Sequence, residues 1–112
     1  DNEWRYVNVR RFFYMVEESV RKSIAFAAFE SNDAHTWASV KALIENYLLG
    51  LWQQGGLAGA KSEQAYFVKV GLNETMTQTD MDQGIMNVEI GMAVLRPAEF
   101  VILKISHKIS VS

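Results

Sequence analysis

The alternation of polar and apolar positions changes period once along this chain, near Ser62. From Val9 to about Phe29, apolar residues recur at Val9, Phe13, Val16, Val20, Ile24 and Ala27. That three-and-four spacing gathers side chains on one face of a helix. Phe12, Met15, Phe26 and Phe29 widen the face, which predicts a helix covered on more than one side. Ser31, Asn32 and Asp33 are candidate N-caps, because each side chain can accept from the orphan amides of a following helix. A second helix is expected from about Ala34 to Gln54, with Trp37, Val40, Ile44, Tyr47, Leu48 and Leu51 turned toward the first. Gly55-Gly56 ends it, since glycine tolerates the left-handed backbone that closes helices. Two long helices joined by a short turn predict an antiparallel hairpin.

Beyond Ser62 the period becomes two. Residues 65–70 alternate, with Tyr66, Val68 and Val70 against Phe67 and Lys69, as in a partly buried strand. Residues 71–83 are polar and aperiodic, read as a loop with a short helical turn near Asp80. Residues 86–92 alternate again, with Met86, Val88, Ile90 and Met92 against Asn87, Glu89 and Gly91. Arg96-Pro97-Ala98 interrupts, because proline lacks a ladder donor. The last segment, residues 99–111, has Val101, Leu103, Ile105, Ile109 and Val111 on one face, broken by His107, and Lys104, Ser106, Lys108 and Ser110 on the other. It is about twice the usual strand length, and it looks too long for the sheet beside it. Either it completes its own sheet as an edge strand, or it is donated to a neighbouring one. The fold class expected is α/β (α+β), a helix hairpin packed on a small mixed sheet. One domain over residues 1–112 is expected.

Composition narrows the function. Of 112 residues, 49% are hydrophobic and 21% charged, enough apolar material for one core. The net charge of -2, with both signs scattered, gives no reason to expect nucleic acid or an anionic membrane as partner. Cysteine is absent, which excludes disulfides and thiolate metal sites. No apolar run approaches the roughly 18 residues that cross a bilayer. The chain opens Asp1-Asn2-Glu3 without methionine, so it is read as a fragment of a longer protein.

Candidate chemistry is sparse. His35 and His107 stand far apart and outside metal-ligand spacing. Glu17-Glu18 reads as a solvated helix face, and Asp80-x-Asp82 lacks the downstream Gly and Glu of a calcium loop. Gly55-Gly56-Leu57-Ala58-Gly59 lacks the lysine of a phosphate-binding loop. Arg5, Arg10 and Arg11 form a basic cluster expected to pair with Glu3 or Glu17. Trp4, Trp37 and Trp52 are expected in the core. No catalytic residue, cofactor or metal is assigned, and an enzyme is not expected.

Several stretches resemble a known family. Arg5-Tyr6-Val7-Asn8-Val9-Arg10-Arg11 opens a helix containing Glu17-Glu18-Ser19; Phe29-Glu30-Ser31-Asn32-Asp33 follows, then Trp37, then Leu51-Trp52-Gln53-Gln54-Gly55-Gly56-Leu57-Ala58-Gly59. Ala65-Tyr66-Phe67-Val68-Lys69-Val70 fits as well, and Asn87-Val88-Glu89-Ile90-Gly91-Met92-Ala93 with Arg96-Pro97-Ala98-Glu99-Phe100-Val101-Ile102 fits best. In this order they resemble the C-terminal domain of contractile tail sheath proteins of phage tails, bacteriocins and contractile injection systems. Met81, Ile85-Met86 and the length of the tail beyond His107 depart from the pattern.

The resemblance implies a structural subunit stacked as hexameric rings round an inner tube, contracting to drive the tube through a target envelope. The alternative is a baseplate or adaptor module. Partners implied are neighbouring sheath subunits, the inner tube protein and the baseplate, with no nucleic acid and no membrane. Assembly is expected in the bacterial cytoplasm, in a phage or phage-tail-like particle. Strand exchange between subunits is expected at Phe100, Val101, Ile102, Leu103, Lys104, Ile105, Ser106, His107, Lys108 and Ile109, with a hinge at Arg96, Pro97 and Ala98. Tube contact is placed at Gln53, Gln54, Lys61, Ser62 and Glu63.

Overall fold

The computed structural model describes residues 2–94 and 99–109, with side chains for 7–94 and 100–109; the expected hinge, Arg96-Pro97-Ala98, lies outside them. Helix α1 runs Asn2–Ser23 and passes into a 3-10 turn, Ala25–Phe29. It starts earlier than the periodicity indicated, because nothing between Asn2 and Val9 breaks a helix and extension costs little once a nucleus exists. It also ends earlier. Ala27 N–H donates to the Ile24 carbonyl at 3.0 Å, and this tighter winding keeps Ile24 and Ala27, three apart, both inward.

Helix α2, Ala34–Gln53, takes Asp33 as its cap: the carboxylate accepts from the Thr36 amide at 3.1 Å. Asn32 does different work. Its Nδ2 donates to the Ile85 carbonyl at 3.0 Å, and its Oδ1 accepts from Trp37 Nε1 at 2.7 Å, tying the helix turn to the sheet. At the far end Gly55 has φ of 82°, and the Gly56 amide reaches back to the Leu51 carbonyl at 2.7 Å. That geometry is a glycine-closed helix terminus.

A one-turn helix α3, Ser62–Ala65, leads into strand β1, Tyr66–Lys69. Helix α4, Gln78–Asp82, is a single turn with a capping box: Thr77 and Asp80 each accept from the other's backbone amide. Asp80 is thereby engaged in structure. Strands β2, Ile85–Val94, and β3, Glu99–Lys108, complete a sheet of order β1-β2-β3. Both pairings are antiparallel, where a mixed sheet was expected. The register places Val68 opposite Ile90, and Ile90 opposite Leu103.

The fold is α+β. Helix α1 lies against β3 and α2 against β1, so the helices sit side by side across one face of the sheet. Between the layers, Val16, Val20, Ile24, Val40, Ile44 and Leu48 meet Val68, Met86, Val88, Ile90, Met92, Leu103 and Ile105 in one core. Each such side chain contributes about 1.5–3 kcal/mol on burial. The helix hairpin exists, but its apolar faces turn chiefly to the sheet. The expectation that α1 is covered on more than one side is not met within this chain. Tyr14, Met15, Phe26 and Phe29 are exposed, Phe29 to 86%.

Replacing Asn32 with alanine removes both bonds of the helix–sheet tie and strands the Trp37 N–H. The expected loss is about 1–3 kcal/mol in urea unfolding; an unchanged midpoint would count against the tie.

Candidate assembly interface

β3 pairs with β2 over its whole length, from Glu99 opposite Val94 to Lys108 opposite Ile85. Beyond it the Ile109 amide still donates to the Gly84 carbonyl at 2.8 Å. The tail as far as Ile109 therefore lies along its own sheet, because β2 has 10 residues and not the seven its alternation suggested. Apolar Ile85 and Ala93 at its ends conceal the period. Among the described residues, the other edge of β3 and the outer edge of β1 carry no strand. The residues expected to exchange strands, Phe100 to Ile109, thus form an edge strand with one rail engaged and one rail open.

The outward sheet face holds a feature that the pattern reading passed over. Phe67 and Phe100 stack with centroids 5.5 Å apart and planes 21° from parallel, directly over Gly91. A Cβ at Gly91 collides with both rings, so this strand glycine is required by close approach. Lys69 Nζ sits 5.0 Å from the Phe67 centroid. Phe100 and Ile102 are nearly half exposed there. A glycine inside an alternating strand was the available signal.

Farther along this face, the Thr75 hydroxyl donates to the Asn87 carbonyl at 2.6 Å, Asn87 Nδ2 returns to the Thr75 carbonyl at 3.0 Å, and Ser106 Oγ donates to Asn87 Oδ1 at 2.6 Å. These bonds fasten the loop of residues 71–77 to the sheet and leave a groove of about 510 Å³ bordered by Glu89 and Lys104. Within the groove Thr75, Asn87 and Ser106 are engaged with one another.

The five residues placed at the tube lie in two groups. Gln53 and Gln54 lie at the end of α2, and Lys61, Ser62 and Glu63 at α3, where Ser62 and Glu63 border a groove with Lys41 and Glu45 from the middle of α2. The loop between is folded back by Trp52 Nε1 donating to the Gly59 carbonyl at 2.9 Å, and by the Ala60 amide donating to Gln64 Oε1 at 3.1 Å. Gln53, Gln54, Lys61 and Glu63 are exposed. Ser62 Oγ donates to Glu63 Oε1 at 2.8 Å, and that bond holds the Glu63 carboxyl below its usual range. Glu17, expected to meet the basic cluster of α1, pairs one turn onward with Arg21 at 3.1 Å.

Substituting Gly91 with alanine should cost about 1 kcal/mol, the worth of an aromatic pair driven apart, although alanine ordinarily suits a strand better than glycine. In a background with both Phe67→Ala and Phe100→Ala the cost should vanish. Equal costs in both backgrounds, measured by chemical denaturation, would refute the close-approach explanation.

Comparison with known proteins gives the arrangement a family. One similar structure is a chain of the anti-feeding prophage (AFP) baseplate solved by cryo-EM with six-fold symmetry: 50% identity, TM-score 0.79, over 96% of this chain and 30% of that one. Another is a chain of the PVC sheath complex of an extracellular contractile injection system in its contracted state: 54% identity, TM-score 0.75, over 87% of this chain and 27% of that one. This chain thus spans less than a third of the length of either. No curated protein matches it. The family model of the phage tail sheath C-terminal domain matches residues 1–108, and the chain belongs to that family.

Proposed function

We propose that this domain interlocks the subunits of a contractile sheath that stacks as hexameric rings round an inner tube and contracts to drive the tube through a target envelope. The observation that carries the reading is a sheet braced by two helices on one face, whose two edges pair with no strand among the described residues, in a member of the sheath family. An open edge is a row of unpaired amides and carbonyls that accepts another strand, and natural proteins seldom leave one uncovered. A shared ladder suits a contracting lattice, because several main-chain bonds must break together before subunits part. In this reading Phe100 to Ile109 form the rail on which neighbouring subunits exchange strands. Arg96-Pro97-Ala98, between β2 and β3, serves as the hinge about which the shared strand reorients. The partners are sheath subunits, the inner tube and the baseplate. Assembly takes place in the bacterial cytoplasm, and the product is part of a phage or phage-tail-like particle.

A second reading, a subunit of the baseplate rather than the sleeve, is favoured by the likeness to an AFP baseplate chain. The two differ in product. A sleeve subunit forms long tubes, and a baseplate subunit forms discrete rings.

Proline tests the edge without removing the strand. Of two neighbouring β3 positions, such as Lys104 and Ile105, one donates its amide to β2 and the other aims it at the open side. The proline variant that keeps the thermal transition should still abolish tubes of the full-length parent in negative-stain microscopy. Tubes that persist in a folded variant exclude β3 as the rail.

We place the tube contact at Gln53, Gln54, Lys61, Ser62 and Glu63, because four of them are exposed and the set carries both charge signs. The contact should be polar, since the sheath must release the tube. Reversing both charges, Lys61→Glu with Glu63→Lys, should reduce tube co-purification several-fold and leave sheath polymerisation intact. Undiminished co-purification excludes this placement.

A further inference from the structure

His107 is the one break in the apolar alternation of β3, and it points inward among the residues that pack on the helices. Its Nε2 is buried and has no hydrogen-bond partner among the described residues. A buried polar nitrogen without a partner costs stability, and in a folded protein such an atom calls for an explanation. Met86 of β2 stands directly opposite and offers no acceptor for an imidazolium. On α1 the charged groups nearby are Arg21 and Glu17, and Glu17 is already bound to Arg21 at 3.1 Å. On its own strand, the neighbouring Lys108 extends along the other face, where its ammonium donates to the Gln83 carbonyl at 2.8 Å. On β2 the nearest acid, Glu89, also lies on that other face. With the Glu17 carboxylate engaged by Arg21, burial and the Arg21 cation both oppose a charged ring.

We infer that His107 is an acid-sensitive latch, holding the C-terminal end of β3 on α1 at neutral pH and loosening it when protonated. The imidazole's affinity for protons falls below its ordinary value, first because burial penalises the cation and then because Arg21 repels it. The direction of the effect follows. The unfolded chain protonates His107 near pH 6.5, and the folded chain does so only at lower pH. Below pH 6.5 the unfolded or locally opened state binds more protons, so stability is full above that value and declines as pH falls. Loosening should begin where β3 ends, at Ser106 to Ile109, and spread toward Leu103. Should neighbouring subunits add strands to β3, the same protonation weakens the rail they rest on. That consequence depends on the assembly reading; the latch does not.

The test uses the unassembled 112-residue chain. Amide hydrogen exchange, corrected for intrinsic rates, is followed from about pH 7.5 to about pH 5, spanning the histidine range. The opening constant of those Ile105 to Ile109 amides that bond inward, such as Ile109 to the Gly84 carbonyl, should rise by up to about tenfold per pH unit as pH falls below 6.5. His35→Gln, which removes the exposed histidine, should keep that rise. His107→Gln, neutral throughout, should flatten it, and Arg21→Gln should reduce it. The same rise in His107→Gln overturns the latch. If that variant does not fold, NMR titration of the wild-type ring decides. A His107 imidazole titrating at or above the ordinary value overturns the proposal, and one titrating below it supports it.

Discussion

Everything else in this domain is arranged around the central strand β2. It pairs with β1 on one side and with β3 on the other, and its Met86, Val88, Ile90 and Met92 belong to the core shared with the residues of α1 and α2. No other element touches so many partners. Its carbonyls also receive the loops: Ala58 binds the Ala93 carbonyl, Thr75 the Asn87 carbonyl, and Asn32 the Ile85 carbonyl. The helix turn, the α2–α3 loop and the loop after β1 are thereby all held to one strand. A subunit that must move as a rigid body benefits from such a spine, since distortion at one place is resisted by ladder bonds on both sides.

The same arrangement leaves the outer strands half used. Among the described residues, β1 and β3 each spend one rail on β2 and pair the other with no strand. The helices lie across one face of the sheet. On the uncovered face, the Phe67–Phe100 pair spans all three strands across Gly91 and fixes the positions of β1 and β3 relative to each other. The interlocking reading thus joins three local facts: a rigid spine, open rails and an aromatic clasp across them.

Much of the fold was legible in the sequence because burial here follows simple periods. Val16, Val20 and Ile24, and Val40, Ile44 and Leu48, are buried at helical spacing as their pattern indicated. Met86, Val88, Ile90 and Met92 are buried at alternate positions, likewise. What escaped were features the period does not encode. A 3-10 turn shares its three-residue repeat with the α-helix, so the passage from Ser23 to Ala25 left no mark. The ends of β2 are apolar on both faces, and its true length, which explains the long tail, was therefore hidden. Strand direction depends on connections rather than on side-chain alternation, and the antiparallel sheet was not separable from a mixed one. The candidate interface was the least legible part. An open edge is a relation between strands, and no single residue announces it. Gly91 was visible as an anomaly, and only the rings above it gave the reason. The five residues placed at the tube are contiguous in two short runs, and the position of α3 beside the middle of α2 was not visible in the sequence.

The most direct test of the account is a cryo-EM map of the assembled full-length parent at a resolution that separates strands. The account predicts an additional strand from another subunit lying about 4.8 Å from β1 or β3 and hydrogen-bonded along its open edge. Assembled particles in which both edges face solvent, with subunits joined through side chains alone, would contradict it.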